Sequence, residues 1–311
     1  MNLTRKNSRT VGDLGEFGLI KELCASIPRA GDDCAVLPTS DRNKFLLYTC
    51  DPVVEGMHFV AATSPRRIGW KAMARNLSDI AAMGGVPRWA VVSLGLRGTT
   101  SVRWVKELYA GLQAVAGKFN CQIVGGDTAR VKHEQFVVVA LIGEVEKSRI
   151  ALRSGARVGD SLLVTGTLGG SLRGKHLTFT PRVNEARWLV NHFPIHAMID
   201  LSDGLSSDLQ RLLEVSRPGI GFEILAAEVP ISRAARNHLP AALNDGEDFE
   251  LLFSIDPRQV TTLRQQWTRK FSLDLTEIGR VVRSRGTITL IGPDGIPRPL
   301  APAGYDHFTK R

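Results

Sequence analysis

Aspartate recurs in this sequence wherever an apolar run gives out. FLLYTCD reaches Asp51, QIVGGD reaches Asp127 and AMID reaches Asp200. Ligands of open α/β sheets bind beyond the carboxyl ends of the strands, so these three carboxylates are expected to point to one site. Two further motifs join them. GDDCA presents Asp32 and Asp33 after a glycine turn, and NLSD sets Asn76 and Asp79 three residues apart on a helix. That spacing puts Asp79 in line with Ala72 and Met83, beside the apolar stripe of Trp70 and Leu77 and not on the open solvent side. Asp203 follows Asp200 by three residues in IDLSDGL. Taken singly, each aspartate reads equally well as a turn residue or a helix cap. Taken together they repel one another and gain proton affinity unless a cation sits among them. A carboxylate set without paired His or Cys selects a hard, oxygen-seeking ion, and Mg²⁺ alongside substrate phosphates is the expected occupant. Gly125, Gly126 and Gly204, beside these acids, let backbone approach a phosphate closely.

The elements that must position these acids read as an alternation of strands and helices. Strands are expected at Phe45–Thr49, Ala90–Leu96, Gln122–Val124 and Phe136–Val145, with helices over Ile68–Met83 and Val102–Lys118. After a polar, basic stretch at Glu146–Gly159 the pattern resumes. Strands fall at Ser161–Thr165, Ile195–Ile199, Phe249–Ile255 and Thr287–Ile291, one helix begins near Leu205, and another covers Pro257–Lys270. The 311 residues, 43% of them hydrophobic, suit two α/β domains, with the division in the polar stretch. GGSLRGK, Gly169–Lys175, nearly matches a phosphate-binding loop, but His176 stands where the metal-side hydroxyl belongs, so the segment reads as a glycine-rich loop.

The net charge of +9 is spread along the chain without a basic run or interleaved aromatics, which argues for a generally cationic surface over a nucleic-acid footprint. No apolar run has the length of a membrane span, and the basic N-terminus lacks the apolar core of a secretory signal. Cys24, Cys34, Cys50 and Cys121 are scattered without a CxxC pair, as expected of free thiols in a reducing, cytoplasmic setting.

Ten motifs in order, GEFGLI (15–20), GDDCAVL (31–37), DPVVEGMHF (51–59), NLSDIAAMGG (76–85), GGDT (125–128), LRSGARVGDSLLVTGTLG (152–169), PRV (181–183), MIDLSDGL (198–205), GEDFELLF (246–253) and GYDHF (304–308), resemble the thiamine-monophosphate kinase family and span nearly the whole chain. The wider superfamily includes aminoimidazole-ribonucleotide synthetase and selenophosphate synthetase. The resemblance implies an aminoimidazole-ribonucleotide-synthetase-like α/β fold, with an N-terminal domain at 1–148 for ATP, Mg²⁺ and dimerisation and a C-terminal domain at 149–311. It implies direct transfer of the γ-phosphoryl group of ATP to thiamine monophosphate, in a homodimer. Asp51, Asp79, Asp127 and Asp200 would be central to that chemistry. Mg²⁺ would be held at Asp33, Thr49, Asp51, Asp79, Asp127, Asp200 and Asp203, with Cys50 standing where the family usually carries a threonine. ATP would meet Tyr109, Gly126, Asp127, Arg153 and Ser202, and the acceptor would meet His58, Glu247 and Tyr305. The stretch around Gly169–Arg182 is shorter than the helical segment usual there, on the side that shapes the substrate pocket.

The bare residues leave plainer readings open: a structural role for His58, a linker charge for Arg153, a turn residue at Glu247 and simple packing for Tyr305. They also leave open a superfamily relative with another acceptor, or a nucleotide-binding protein without turnover.

Overall fold

The structure, a computed structural model, describes residues 9–24, 26–27 and 31–308; the N-terminal stretch read for a secretory signal lies outside them through residue 8. Helix α1 (Val11–Cys24) breaks at Gly15, whose φ of 68° favours glycine. Five strands then form a sheet: β1 (Ala35–Pro38), β2 (Lys44–Val54), β3 (Val86–Arg97), β4 (Gln122–Val131) and β5 (Phe136–Glu146), in the order β1-β2-β5-β3-β4. Helices α2 (Pro65–Ala82) and α3 (Val102–Lys118) connect its strands. β5 buries every second residue, the mark of a strand with one covered face.

The rest of the chain contributes β6 (Ser161–Thr165), α4 (Val183–His192), β7 (Ala197–Asp200), α5 (Leu205–Val215), β8 (Ile220–Leu225), α6 (Leu239–Asn244), β9 (Leu251–Ile255), α7 (Pro257–Lys270), β10 (Leu275–Arg283), β11 (Ile288–Ile291) and β12 (Pro297–Pro299). Its seven strands are ordered β12-β11-β8-β10-β6-β9-β7. Pairing is antiparallel except for β3 with β4 and β8 with β11. The α/β class expected from the alternation is the one observed.

Helix α2 ties the two sheets together. Sequence periodicity shows one apolar stripe on it, yet Lys71, Asn76 and Ser78 are buried as well, so the helix is enclosed nearly all round. Against α3 the approach is backbone to backbone: a Cβ on Gly69 would lie 2.0 Å from the Leu108 carbonyl oxygen, and one on Gly111 would lie 1.9 Å from that of Arg66. One hydrophobic cluster runs from Leu47 and Val139 of the first sheet through Met73 and Leu77 to Val190 and Trp267.

Two strands run further than their sequence pattern suggests. β2 continues past Asp51 because its pairing with β5 extends to Val54 and Phe136, and β4 continues past Asp127 because its pairing with β3 extends to Val131 and Arg97. Asp200 alone of the three ends its strand. Gly126 has a packing reason of its own, since a Cβ there would lie 2.0 Å from the Val92 carbonyl oxygen.

Candidate functional site

Strand alternation turns Thr49 and Asp51 to the covered face of β2, toward α2. There they meet Asp79 of α2, Asp33 from the loop before β1, and Asp200 at the end of β7. Asp33, Asp79 and Asp200 each offer a carboxylate oxygen, and the three lie within 4.8 Å of one another. The pocket around them is about 330 Å³ and takes in Thr49, Asp51, Ser202, Asp203 and Glu16. Three arginines ring it. Arg153 grips Asp33 through two bonds of 2.6 and 3.1 Å, Arg75 reaches Asp51 at 3.1 Å, and Arg211 reaches Asp203 at 2.5 Å. The acids are also held from below. Thr49 Oγ1 donates to Asp79 at 2.5 Å, Ser78 Oγ donates to Asp200 at 2.6 Å, and Asn76 Oδ1 accepts from the Asp51 amide at 3.1 Å.

Burial raises the pKa of Asp79 well above the usual carboxylate range, and the charges of Asp51 and Asp200 add to the rise, against the Thr49 hydrogen bond. Burial, then Asp33, pushes Asp200 up to about 7. Side chains this crowded favour protons only while positive charge is lacking. The donors are all oxygen and converge from separate elements, which suits a hard divalent cation.

Glu247 stands behind the Arg75 wall of the pocket, reached by that guanidinium. It adopts φ 56°, and two residues on Phe249 adopts φ 50°. Its carboxylate pairs with the fully buried Lys71 and lies 2.9 Å from His176 Nδ1 and 3.7 Å from Arg75. Burial alone would raise its pKa, but His176, Lys71 and Arg75 together bring it down to about 2. His58 is 8% exposed, and its Nδ1 accepts from the Val54 amide at 3.1 Å. Burial, then Arg75 and Lys71, lowers its pKa to about 3, so the ring is neutral near pH 7.

The glycine-rich loop reaches this wall. Its amides are already engaged, Gly169 N–H with Asp248 and Gly170 N–H with Asp245, so they are not a free phosphate cradle. Lys175 and Arg182 instead bind the buried Glu250, Arg182 through two bonds of 2.7 Å, and Phe179 stacks on Phe249 at 4.1 Å.

Not every expected residue joins the pocket of one chain. Asp127 sits on the open face of β4, three strand spacings from Asp51 across β3 and β5, or about 14 Å. Gly126 lies beside it, and Tyr109 is half-buried on α3 against the core. Tyr305 holds the Asp203 carbonyl through its amide at 2.9 Å, with its ring edge-on to His307, which lines the pocket. Cys50 is a correction. It borders the pocket, but alternation turns its thiol away from Thr49 and Asp51. Burial, then Asp51, raises its pKa, and a protonated thiol is a poor ligand.

Sequence reading missed Lys71, Arg75, His176, Arg211, Phe249 and His307. Arg75 and Lys71 carried a usable signal, one to two turns before Asp79 on a helix with apolar neighbours. His176 and Arg211 carried none.

Residues 31–145 match the family described as AIR synthase related protein, N-terminal domain. A thiamine-monophosphate kinase of Aquifex aeolicus is 35% identical over 327 residues, covering 95% of this chain and 99% of its own. One from Rhodopirellula baltica is 37% identical over 292 residues, covering 89% and 90%. Among solved structures, AaThiL complexed with AMPPCP and TMP matches with a TM-score of 0.84 at 32% identity, over 97% of this chain and 100% of that one. A hydrogenase maturation protein HypE matches with a TM-score of 0.71 at 20% identity, a likeness of fold alone.

Proposed function

The chain belongs to the thiamine-monophosphate kinase family, and we propose that its acidic pocket is where the γ-phosphoryl group of ATP passes to thiamine monophosphate. The enzyme is an ATP-dependent kinase whose product is thiamine diphosphate, in keeping with relatives of that name and with the AMPPCP and TMP complex. The observation that carries the site assignment is the meeting of Asp33, Asp79 and Asp200 within 4.8 Å, next to Arg153.

In this reading Asp33, Asp79 and Asp200 hold Mg²⁺, with Thr49, Asp51 and Asp203 beside them. Mg²⁺ supplies the positive charge that lets phosphates enter a pocket lined by six carboxylates and three guanidiniums. Arg153 and Arg75 are long enough to turn from their carboxylates toward phosphate oxygens, where a planar guanidinium binds two at once. Ser202 faces the same phosphates. The acceptor is already a phosphate oxyanion, so positioning and charge neutralisation suffice without a general base. His58 accordingly acts as a neutral donor and not as a base. Glu247, fixed by Lys71 and His176, orients the acceptor, and Tyr305 offers a flat face for its rings.

The division at residue 148/149 and the homodimer belong to the same reading. The outer face of the first sheet exposes Tyr48, Trp89, Val91 and Val124, an apolar surface suited to a second copy. Asp127, Gly126 and Tyr109, apart from the pocket of one chain, would serve the nucleotide from the neighbouring copy. The four cysteines are free, in keeping with a cytoplasmic setting, and among the described residues no helix is long and apolar enough to cross a membrane.

The test is diphosphate formation by the purified protein with ATP and Mg²⁺, against a panel of other phosphorylated and carbonyl acceptors. ATP consumption with another acceptor, and none with thiamine monophosphate, would overturn the substrate assignment.

A further inference from the structure

A second cleft, about 680 Å³ and so roughly twice the acidic pocket, has the opposite electrostatic character. Three segments bring a guanidinium to it: Arg157 from the turn before β6, Arg217 from the turn after α5, and Arg283 from the end of β10. In the acidic pocket every lining arginine is paired with an acid, Arg75 with Asp51, Arg153 with Asp33 and Arg211 with Asp203. Among the described residues, Arg157, Arg217 and Arg283 have no acidic partner, and no acidic residue lines the cleft. Two acids stand near its His196 wall and both are engaged: Asp160, 3% exposed, by the His196 ring, the Arg157 amide and Ser254 Oγ, and Asp256 by Arg258. The carboxyl end of α5 adds about half a negative charge, too little to offset three cations. The remaining walls are mixed: Ser154 and His196 are polar, while Val158, Pro218 and Ile195 give an apolar side on which Val158 is half exposed.

Three arginines without acidic partners on one cleft, beside an apolar side, describe a receptor for a multiply charged anion with a hydrophobic body. We propose that this cleft binds a ring-bearing organic diphosphate without a metal, as a site separate from the acidic pocket. The two sites lie at opposite ends of β7. His196 borders the cleft just before the strand begins, and Asp200 ends it roughly 13 Å further on. Their opposite charge makes them separable in solution, because phosphates reach the acidic pocket only with divalent cations and reach the arginine cleft without them.

The test is calorimetric titration of the full chain in EDTA with two probes, ADP and inorganic diphosphate. We expect saturable binding of ADP at one site per chain, with inorganic diphosphate about tenfold weaker for want of the apolar contact. The triple variant Arg157→Ala, Arg217→Ala, Arg283→Ala should lose at least about tenfold in ADP affinity while keeping wild-type turnover, which also reports that it is folded. Asp79→Asn should bind ADP in EDTA as the wild type does. Absent or unsaturable ADP binding in EDTA overturns the site, as does binding that survives the triple variant or is lost in Asp79→Asn. Equal affinity for the two probes overturns the ring-bearing class.

Discussion

The acid cluster makes a prediction that needs neither nucleotide nor acceptor: Mg²⁺ alone should stabilise the protein, and more so at pH 8 than at pH 6. Asp200 is raised to about 7. A carboxyl whose folded pKa exceeds its unfolded value contributes stability at low pH that is lost as pH rises through the folded pKa. The metal-free protein is therefore penalised above pH 7, the range in which the cation finds the carboxylate ionised. At pH 6 about a tenth of Asp200 is ionised and at pH 8 about nine-tenths, so the apparent Mg²⁺ affinity should differ about tenfold, or about 1.4 kcal/mol. With Mg²⁺ well above its dissociation constant at both pH values, that difference passes directly into stability. For a chain of this size it is worth about 2 °C in Tm. Differential scanning calorimetry with and without Mg²⁺, at both pH values and constant ionic strength, reads it. Asp79→Asn is the control: it should erase the Mg²⁺ shift and raise the metal-free Tm at pH 8, because one of the repelling charges is gone. Equal shifts at pH 6 and pH 8, or a full Mg²⁺ shift in Asp79→Asn, would refute the reasoning.

Asp79→Asn should lower thiamine diphosphate formation by about a thousandfold or more with circular dichroism unchanged; near-normal turnover would remove Asp79 from the metal set. Asp127→Asn should be inactive by itself, yet an equal mixture of unfolded and refolded Asp79→Asn and Asp127→Asn chains should regain about a quarter of wild-type activity, since half the dimers carry one intact site. No recovery on mixing would place Asp127 outside the neighbour's site. Lys71→Met leaves Glu247 without its buried partner and should cost about 3 kcal/mol in urea denaturation while raising KM for thiamine monophosphate more than KM for ATP. Equal effects on both would make Lys71 a purely structural residue.

What the sequence made legible were acids in incongruous places. An aspartate that interrupts an apolar run, as Asp51 and Asp200 do, or that edges an apolar stripe, as Asp79 does, stands out because burial of an unpaired charge is costly. Basic residues gave a weaker contrast. Lys71 and Arg75 occupy a helix whose sequence shows only one apolar stripe, and their burial follows from the glycine contact with α3 and the cover of α4 and β7, all of it tertiary. The loop at Gly169–Arg182 was readable as a failed phosphate loop. Its attachment was not, because Glu250 and Asp248 hold it from about seventy residues away. Helix α4 and strands β8 and β10 went unassigned, each short or broken by polar residues that face solvent.

The GEDFE segment shows how catalytic geometry and loop anchoring are joined in one backbone. Glu247 and Phe249 take left-handed conformations that cost of order 1–3 kcal/mol apiece in residues other than glycine. They persist because their amides are fixed by the carbonyls of Ser202 at 2.7 Å and Leu201 at 2.8 Å, which follow β7 directly. The same twist sends alternate side chains to different tasks. Phe249 lines the pocket and Glu247 stands behind it against Lys71 and Arg75, while Asp248 and Glu250 turn into the interior and clamp Gly169, Ser171, Lys175 and Arg182. The loop then returns His176 to Glu247 and Phe179 to Phe249, so each anchor supports the side chain beside it. A pocket wall built this way cannot move independently of the loop. That dependence explains why strained residues and buried carboxylates sit together here, against a core dense enough to hold them.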